Sequence, residues 1–136
     1  MSLMVTGLYA SLTGLLIVAL AYRVVKVRKS HKIGLGDGGN NALALANRVH
    51  VNLIENAPIV LILMLVAEAG GLPVFYLHCF GTVWIVARLL HAIGLTQGQG
   101  GYHFGRFWGV LLTWIVIISL ALVNLLHFAQ GLGRGL

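Results

Sequence analysis

The sequence predicts an all-α membrane protein, a bundle of four transmembrane helices. Of its 136 residues, 59% are hydrophobic and only 9% are charged, whereas soluble domains carry roughly 25% charged residues. The apolar residues gather into long runs, each about the ~20 residues that a helix needs to cross the hydrocarbon core. The gaps between runs are short and hold glycine-rich or basic clusters, the composition of turns at a membrane surface. The expected architecture is a single membrane domain over 1–136, with helices at about 3–25, 41–69, 73–95 and 104–127.

The first apolar run covers residues 3–22. Ala19-Leu20-Ala21 imitates a signal-peptide cleavage site, but no basic segment precedes the run, and it exceeds the ~7–15 residues of a signal-peptide core. It therefore reads as a retained helix. Arg23, Lys26, Arg28, Lys29 and Lys32 follow and read as a basic loop continuing through residues 34–41. Cations beside a membrane helix attract anionic lipid and place their loop on the cytoplasmic side. The loop's glycines lack the Lys-Ser/Thr pair and preceding strand of a phosphate loop. The net charge of +6 thus reads as a topology signal. A nucleic-acid partner is not expected, because the cations do not spread over a soluble basic face.

The second run contains Pro58, which lacks an N–H and clashes with the preceding turn, so a kink near residues 54–58 is expected. Gly70-Gly71-Leu72-Pro73 forms a tight turn, with Glu68 beside it as an interfacial carboxylate. The third run carries Arg88 and His91 near its end and leads into the glycine-rich stretch Thr96-Gln97-Gly98-Gln99-Gly100-Gly101. The fourth begins near Phe104, carries Arg106 in its first turn, and leaves residues 129–136 as a polar tail. Gly7, Gly14, Gly81 and Gly109 allow close helix approach. Trp84, Trp108 and Trp114 read as packing or interfacial residues. The lone Cys79 cannot form an intrachain disulfide and reads as packing, since reactive thiols need an electropositive, accessible setting.

One stretch does not fit a plain bilayer helix: Arg48-Val49-His50-Val51-Asn52-Leu53-Ile54-Glu55-Asn56-Ala57-Pro58. Steps of four and three residues bring Arg48, Asn52 and Glu55 within about 60° of one another on one helix face. A single charge at the centre of a membrane helix costs at least ~2.5–3.5 kcal/mol. The stripe must therefore face other helices, a subunit interface or a wet pocket. Two readings stand at this point: a structural polar network, or a site for a polar zwitterionic ligand.

Arg48, Asn52, Glu55 and Pro58 reproduce the pattern R-x-x-x-N-x-x-E-x-x-P. In this the chain resembles the MAPEG superfamily, the membrane-associated proteins of eicosanoid and glutathione metabolism, and within it the bacterial inner-membrane branch. The resemblance runs from about residue 3 to about residue 126. It implies a homotrimer with glutathione as co-substrate, bound between adjacent subunits and facing the cytoplasm, while a hydrophobic electrophile arrives along the bilayer. Carried onto this sequence, the ligand-holding positions fall on Arg48, Asn52 and Glu55, with the third-helix arginine at Arg88. The eicosanoid-making members have tyrosines where this chain has Asn56, His91 and Leu95, and Arg106 is only a loose counterpart of their catalytic arginine. Groups for binding are therefore better matched than groups for activation.

Depth in the membrane groups the same residues. With the first loop cytoplasmic, Arg48 lies roughly 10 Å in from its helix end at 1.5 Å per residue. Arg88 lies at a similar depth on the returning helix, His91 one turn nearer the surface, Arg106 at the mouth and Glu55 deepest. Arginine forks suit the two carboxylates of glutathione, Glu55 its ammonium, and Asn52 a peptide group or carboxylate. A thiol must ionise to attack, so Arg106 or His91 is the expected thiolate-stabilising group.

The expected function is glutathione-dependent transfer or peroxide reduction on a hydrophobic substrate. The alternative is a non-catalytic membrane protein whose charged stripe binds a lipid headgroup or staples subunits. A transporter is disfavoured, because inverted repeats and paired broken helices are missing. His50 points away from the stripe. With His91 it lacks the clustered spacing of a metal site, so no metal is expected. His78 and His127 read as interfacial, and Tyr102 and His103 border the mouth. The expected location is the inner membrane, with the first and third loops cytoplasmic and the termini periplasmic.

Overall fold

The computed structural model describes residues 3–133. Four helices make up the fold: α1 (Met4–His31), α2 (Asn41–Ala69), α3 (Val74–Gln97) and α4 (Phe104–Gly133). All four are long and apolar enough to span a membrane. Even α3, the shortest at 24 residues, reaches about 36 Å at 1.5 Å per residue, more than the ~30 Å of a hydrocarbon core. The α1–α2 and α3–α4 loops share one end of the bundle, here termed the basic end. The α2–α3 turn lies at the other.

α1 runs on to His31. Arg23, Lys26, Arg28 and Lys29 therefore stand on its last turns and not in a loop, as the sequence alone had implied. Lysine and arginine are good helix formers, and cations near a helix C-terminus interact favourably with its carbonyls. The helix stops at Lys32, which takes a left-handed conformation and donates its N–H to Arg28 O. α4 likewise continues to Gly133 through most of the expected tail, and residues 134–136 lie outside the described part. α2 passes through Pro58 as one helix. Its first turn is capped by Asn40, whose Oδ1 accepts from Leu43 N at 2.9 Å.

The main core sits where α2, α3 and α4 meet, around Val60, Met64, Leu77, Trp84, Val116 and Leu120, with Tyr9 of α1 closing it. A smaller cluster of Val24, Leu43 and Ala46 joins α1 to α2 at the basic end. Several polar groups inside this apolar packing are paired across helices, as a low-dielectric interior favours. Trp84 Nε1 donates to Thr13 Oγ1 at 2.9 Å, which makes this tryptophan a packing residue. The Tyr9 hydroxyl meets His78 Nδ1 and Thr82 Oγ1, each at 3.0 Å. Glu68 is more than an interfacial carboxylate: it accepts from the N–H groups of Val5 at 3.0 Å and Thr6 at 2.7 Å. It thereby caps α1, whose own N-terminal residue supplies no side-chain cap.

The α3–α4 crossing is the tightest in the bundle. A Cβ at Gly94 would collide with the Gly105–Arg106 backbone, and one at Gly109 would come within 2.6 Å of His91 N. Gly81 likewise makes room for the Tyr9 ring. Gly7 and Gly14, which the sequence also marks as close-approach positions, face open space within the protomer.

Candidate functional site

The polar stripe of α2 divides into two arrangements. On the outer side, Arg48 Nη1 reaches Glu55 Oε1 at 3.5 Å, and the two side chains are 58% and 50% exposed. Seven residues apart, they lie about two helical turns from each other on one face. The pair is open on the side away from its own bundle.

On the inner side, Arg88 is 3% exposed. Its Nη1 donates to Asn52 Oδ1 at 2.7 Å and its Nη2 to Gly109 O at 3.0 Å. The guanidinium also lies 5.3 Å from the centroid of the Trp84 ring, within cation–π range. Its Nε is buried without a partner among the described residues. Arg88 therefore ties α3 to α2 and α4, and it fixes which way the Asn52 amide faces.

Arg106 stands at the mouth, donating Nη1 to the carbonyl oxygens of Gly100 and Gly101. It shares a cleft of about 390 Å³ with Arg48, Asn41 and Gln99, floored by Leu45 and Leu95. The Gly36–Asp37 backbone lies on the other side of Arg48 and forms with it a second, shallower cleft of about 300 Å³. Asp37 turns that loop by accepting from Gly39 N at 3.0 Å. Both loops at the basic end thus flank Arg48.

His91 is 4% exposed, its backbone and Cβ pressed against Gly109 at the α3–α4 crossing. Asn56 donates its amide to Asn52 O within its own helix at 2.8 Å. His103 Nδ1 accepts from Gly105 N at 3.1 Å, capping α4, while Tyr102 is almost fully exposed beside it.

The fold thus brings Arg48, Asn52, Glu55 and Arg88 into one region, with Arg106 joining Arg48 at the rim. Sequence reasoning missed the carbonyls of Gly100, Gly101 and Gly109, and the side chains of Asn41 and Gln99. The pair Gly105 and Gly109, four residues apart, signals a close helix crossing. A backbone acceptor exposed by that crossing leaves no mark of its own in a sequence.

Four membrane-length helices, with arginine, asparagine and glutamate side chains gathered on α2, α3 and α4, define an integral membrane protein. The MAPEG family model matches residues 6–126. "Inner membrane protein YecN" of Escherichia coli K12 is 35% identical over 126 residues, covering 90% of this chain and 91% of the relative. Its counterpart from Escherichia coli O6:H1 strain CFT073 matches to the same extent. The chain belongs to the MAPEG family.

Proposed function

We propose that this protein binds glutathione in the membrane and acts as a glutathione transferase or peroxidase on hydrophobic electrophiles. The observation that carries the reading is the cleft at the basic end, where the guanidinium groups of Arg48 and Arg106 border one open space. Two such groups suit an anionic thiol ligand: the Arg48 fork can hold a carboxylate bidentately, and Arg106 is left for the sulfur. Glu55, half-exposed beside Arg48, offers the acceptor for an ammonium group. Asn52, its amide held by Arg88, presents a polar edge between them. In this reading Arg48, Asn52 and Glu55 touch the tripeptide, and Arg88 acts from behind by orienting Asn52.

Arg106 is the group proposed to favour the thiolate, since its bonds to two loop carbonyls are exchangeable for an anionic sulfur. The thiolate would attack an electrophilic carbon or a peroxide oxygen, forming a new bond to sulfur as the leaving group departs with the electron pair. His91, buried in the α3–α4 crossing, is a weaker candidate for that task. The open side of the Arg48–Glu55 pair calls for a cover in the bilayer, and a homotrimer of this single membrane domain would supply one. The relatives' designation supports an inner-membrane location. The cations at the end of α1 support a topology with the first and third loops cytoplasmic and the termini periplasmic.

The second reading, a staple between subunits or onto a lipid headgroup, draws on the same exposed pair. Arg48→Ala separates the two. If Arg48 binds ligand, glutathione affinity falls while the oligomer survives in size-exclusion chromatography with light scattering. If the oligomer itself dissociates, the staple reading stands instead.

A further inference from the structure

An apolar groove of about 350 Å³ runs between α1 and α3, away from the Arg48 cleft. Leu16 and Leu20 form one wall, Leu89 and Ile93 the other, and the groove ends at Arg23 and Thr96. Arg23 Nη1 donates to Thr96 Oγ1 at 2.8 Å, which holds the guanidinium across the end of the groove. The spacing of Leu16, Leu20 and Arg23 (four residues, then three) keeps all three on one face of α1. A side chain that caps an apolar channel with a cation is suited to an amphiphile whose head is anionic.

The surroundings agree with that polarity. Lys26 lies one turn beyond Arg23, about 60° further round the helix, and Lys29 about 60° further again. Both are exposed. Among the described residues the one ion pair is Arg48–Glu55, so none of the chain's three carboxylates neutralises these cations. Glu68 caps α1 at the far end of the bundle, and Asp37 is turned onto its own loop. Tyr22 stands beside Lys26 and Lys29 around a neighbouring hollow, the pairing of aromatic and cation found where a helix leaves the hydrocarbon.

We propose that this groove is a binding site for an anionic phospholipid. An acyl chain lies between Leu16–Leu20 and Leu89–Ile93, and the phosphate is held by Arg23 and Lys26. Leu16 to Arg23 spans about 10 Å along α1 at 1.5 Å per residue, so the site takes the upper part of a chain and leaves the rest in the bilayer. The proposal stands apart from glutathione binding, because no residue of this groove lines the Arg48 cleft.

The test is native mass spectrometry of the full-length protein from micelles doped with equal amounts of dioleoylphosphatidylglycerol and dioleoylphosphatidylcholine. Wild type is expected to retain the anionic lipid in preference. Arg23→Gln should cut that preference about fivefold, the share of one juxtamembrane cation, while Lys29→Gln, about 120° round the helix from Arg23, should lower it clearly less. Ile93→Trp, which fills the groove and keeps every charge, should also lower retention. Circular dichroism of each variant confirms that the helices remain. Equal retention of the two lipids by wild type would overturn the proposal. So would equal losses in Arg23→Gln and Lys29→Gln, which would mean diffuse attraction to the basic end, or full displacement by soluble glycerol 3-phosphate, which would mean a headgroup site without a chain.

Discussion

Arg88 and Glu55 carry opposite charges in the same region, yet they do different work. Arg88 is enclosed, and its hydrogen bonds to Asn52 and Gly109 are what make a buried guanidinium tolerable. Removing an acceptor leaves that charge unsatisfied, and hydrogen bonds to charged groups contribute about 1.5–3 kcal/mol. Asn52→Leu is therefore expected to lower stability by about that amount, read as a drop in the thermal unfolding midpoint in detergent. Glu55→Gln, at a half-exposed site, should change stability by less than about 0.5 kcal/mol. The α2 stripe was legible in the sequence, because steps of four and three residues reveal a shared helix face. The partition of the stripe was not. It depends on Gly109 presenting its carbonyl to Arg88, which follows from backbone approach and not from any side chain.

At the scale of the helices, apolar run length was enough to count four spans, and Pro58 did not obscure α2. Run length located the helix ends less well. α1 and α4 continue past their apolar stretches, because basic residues and glycine near an interface do not stop a helix where water satisfies the side chains. The glycines divide in a way that spacing alone conceals. Gly109→Ala would place a Cβ against His91 and Ala87 and is expected to cost about 1–3 kcal/mol as overpacking. Gly14→Ala, with nothing near it in the protomer, should instead be neutral or stabilise by up to ~1 kcal/mol. Thermal unfolding of the two variants side by side checks the contrast. Glu68 offers a third test, since a lost helix cap typically costs about 0.5–2 kcal/mol. Glu68→Ala should fray the start of α1, seen as faster hydrogen exchange at the amides of Val5 and Thr6 while the α2 and α3 core stays protected.

In the whole molecule, topology and site are linked. The cations of α1 and the Arg48–Arg106 cleft share one end of the bundle, so a cytoplasmic basic end means a cleft open to cytosolic glutathione. With Cys79 replaced by serine, a single cysteine at Leu35 should resist a membrane-impermeant maleimide in intact cells. A single cysteine at Leu72 should react. The reverse pattern would turn the cleft to the outside and remove its access to the cytosolic thiol pool.

The central claim is that the charged stripe is a ligand site and not only architecture. Calorimetric titration of glutathione into the detergent-purified protein, with wild type and Glu55→Gln in parallel, addresses it most directly. Saturable binding to wild type is expected. In Glu55→Gln the affinity should be weakened about 10- to 100-fold, the loss of one charge-assisted hydrogen bond of about 1.5–3 kcal/mol, with the fold unchanged. Absence of binding to folded wild-type protein would contradict the ligand-site reading, and so would equal affinity in the two proteins.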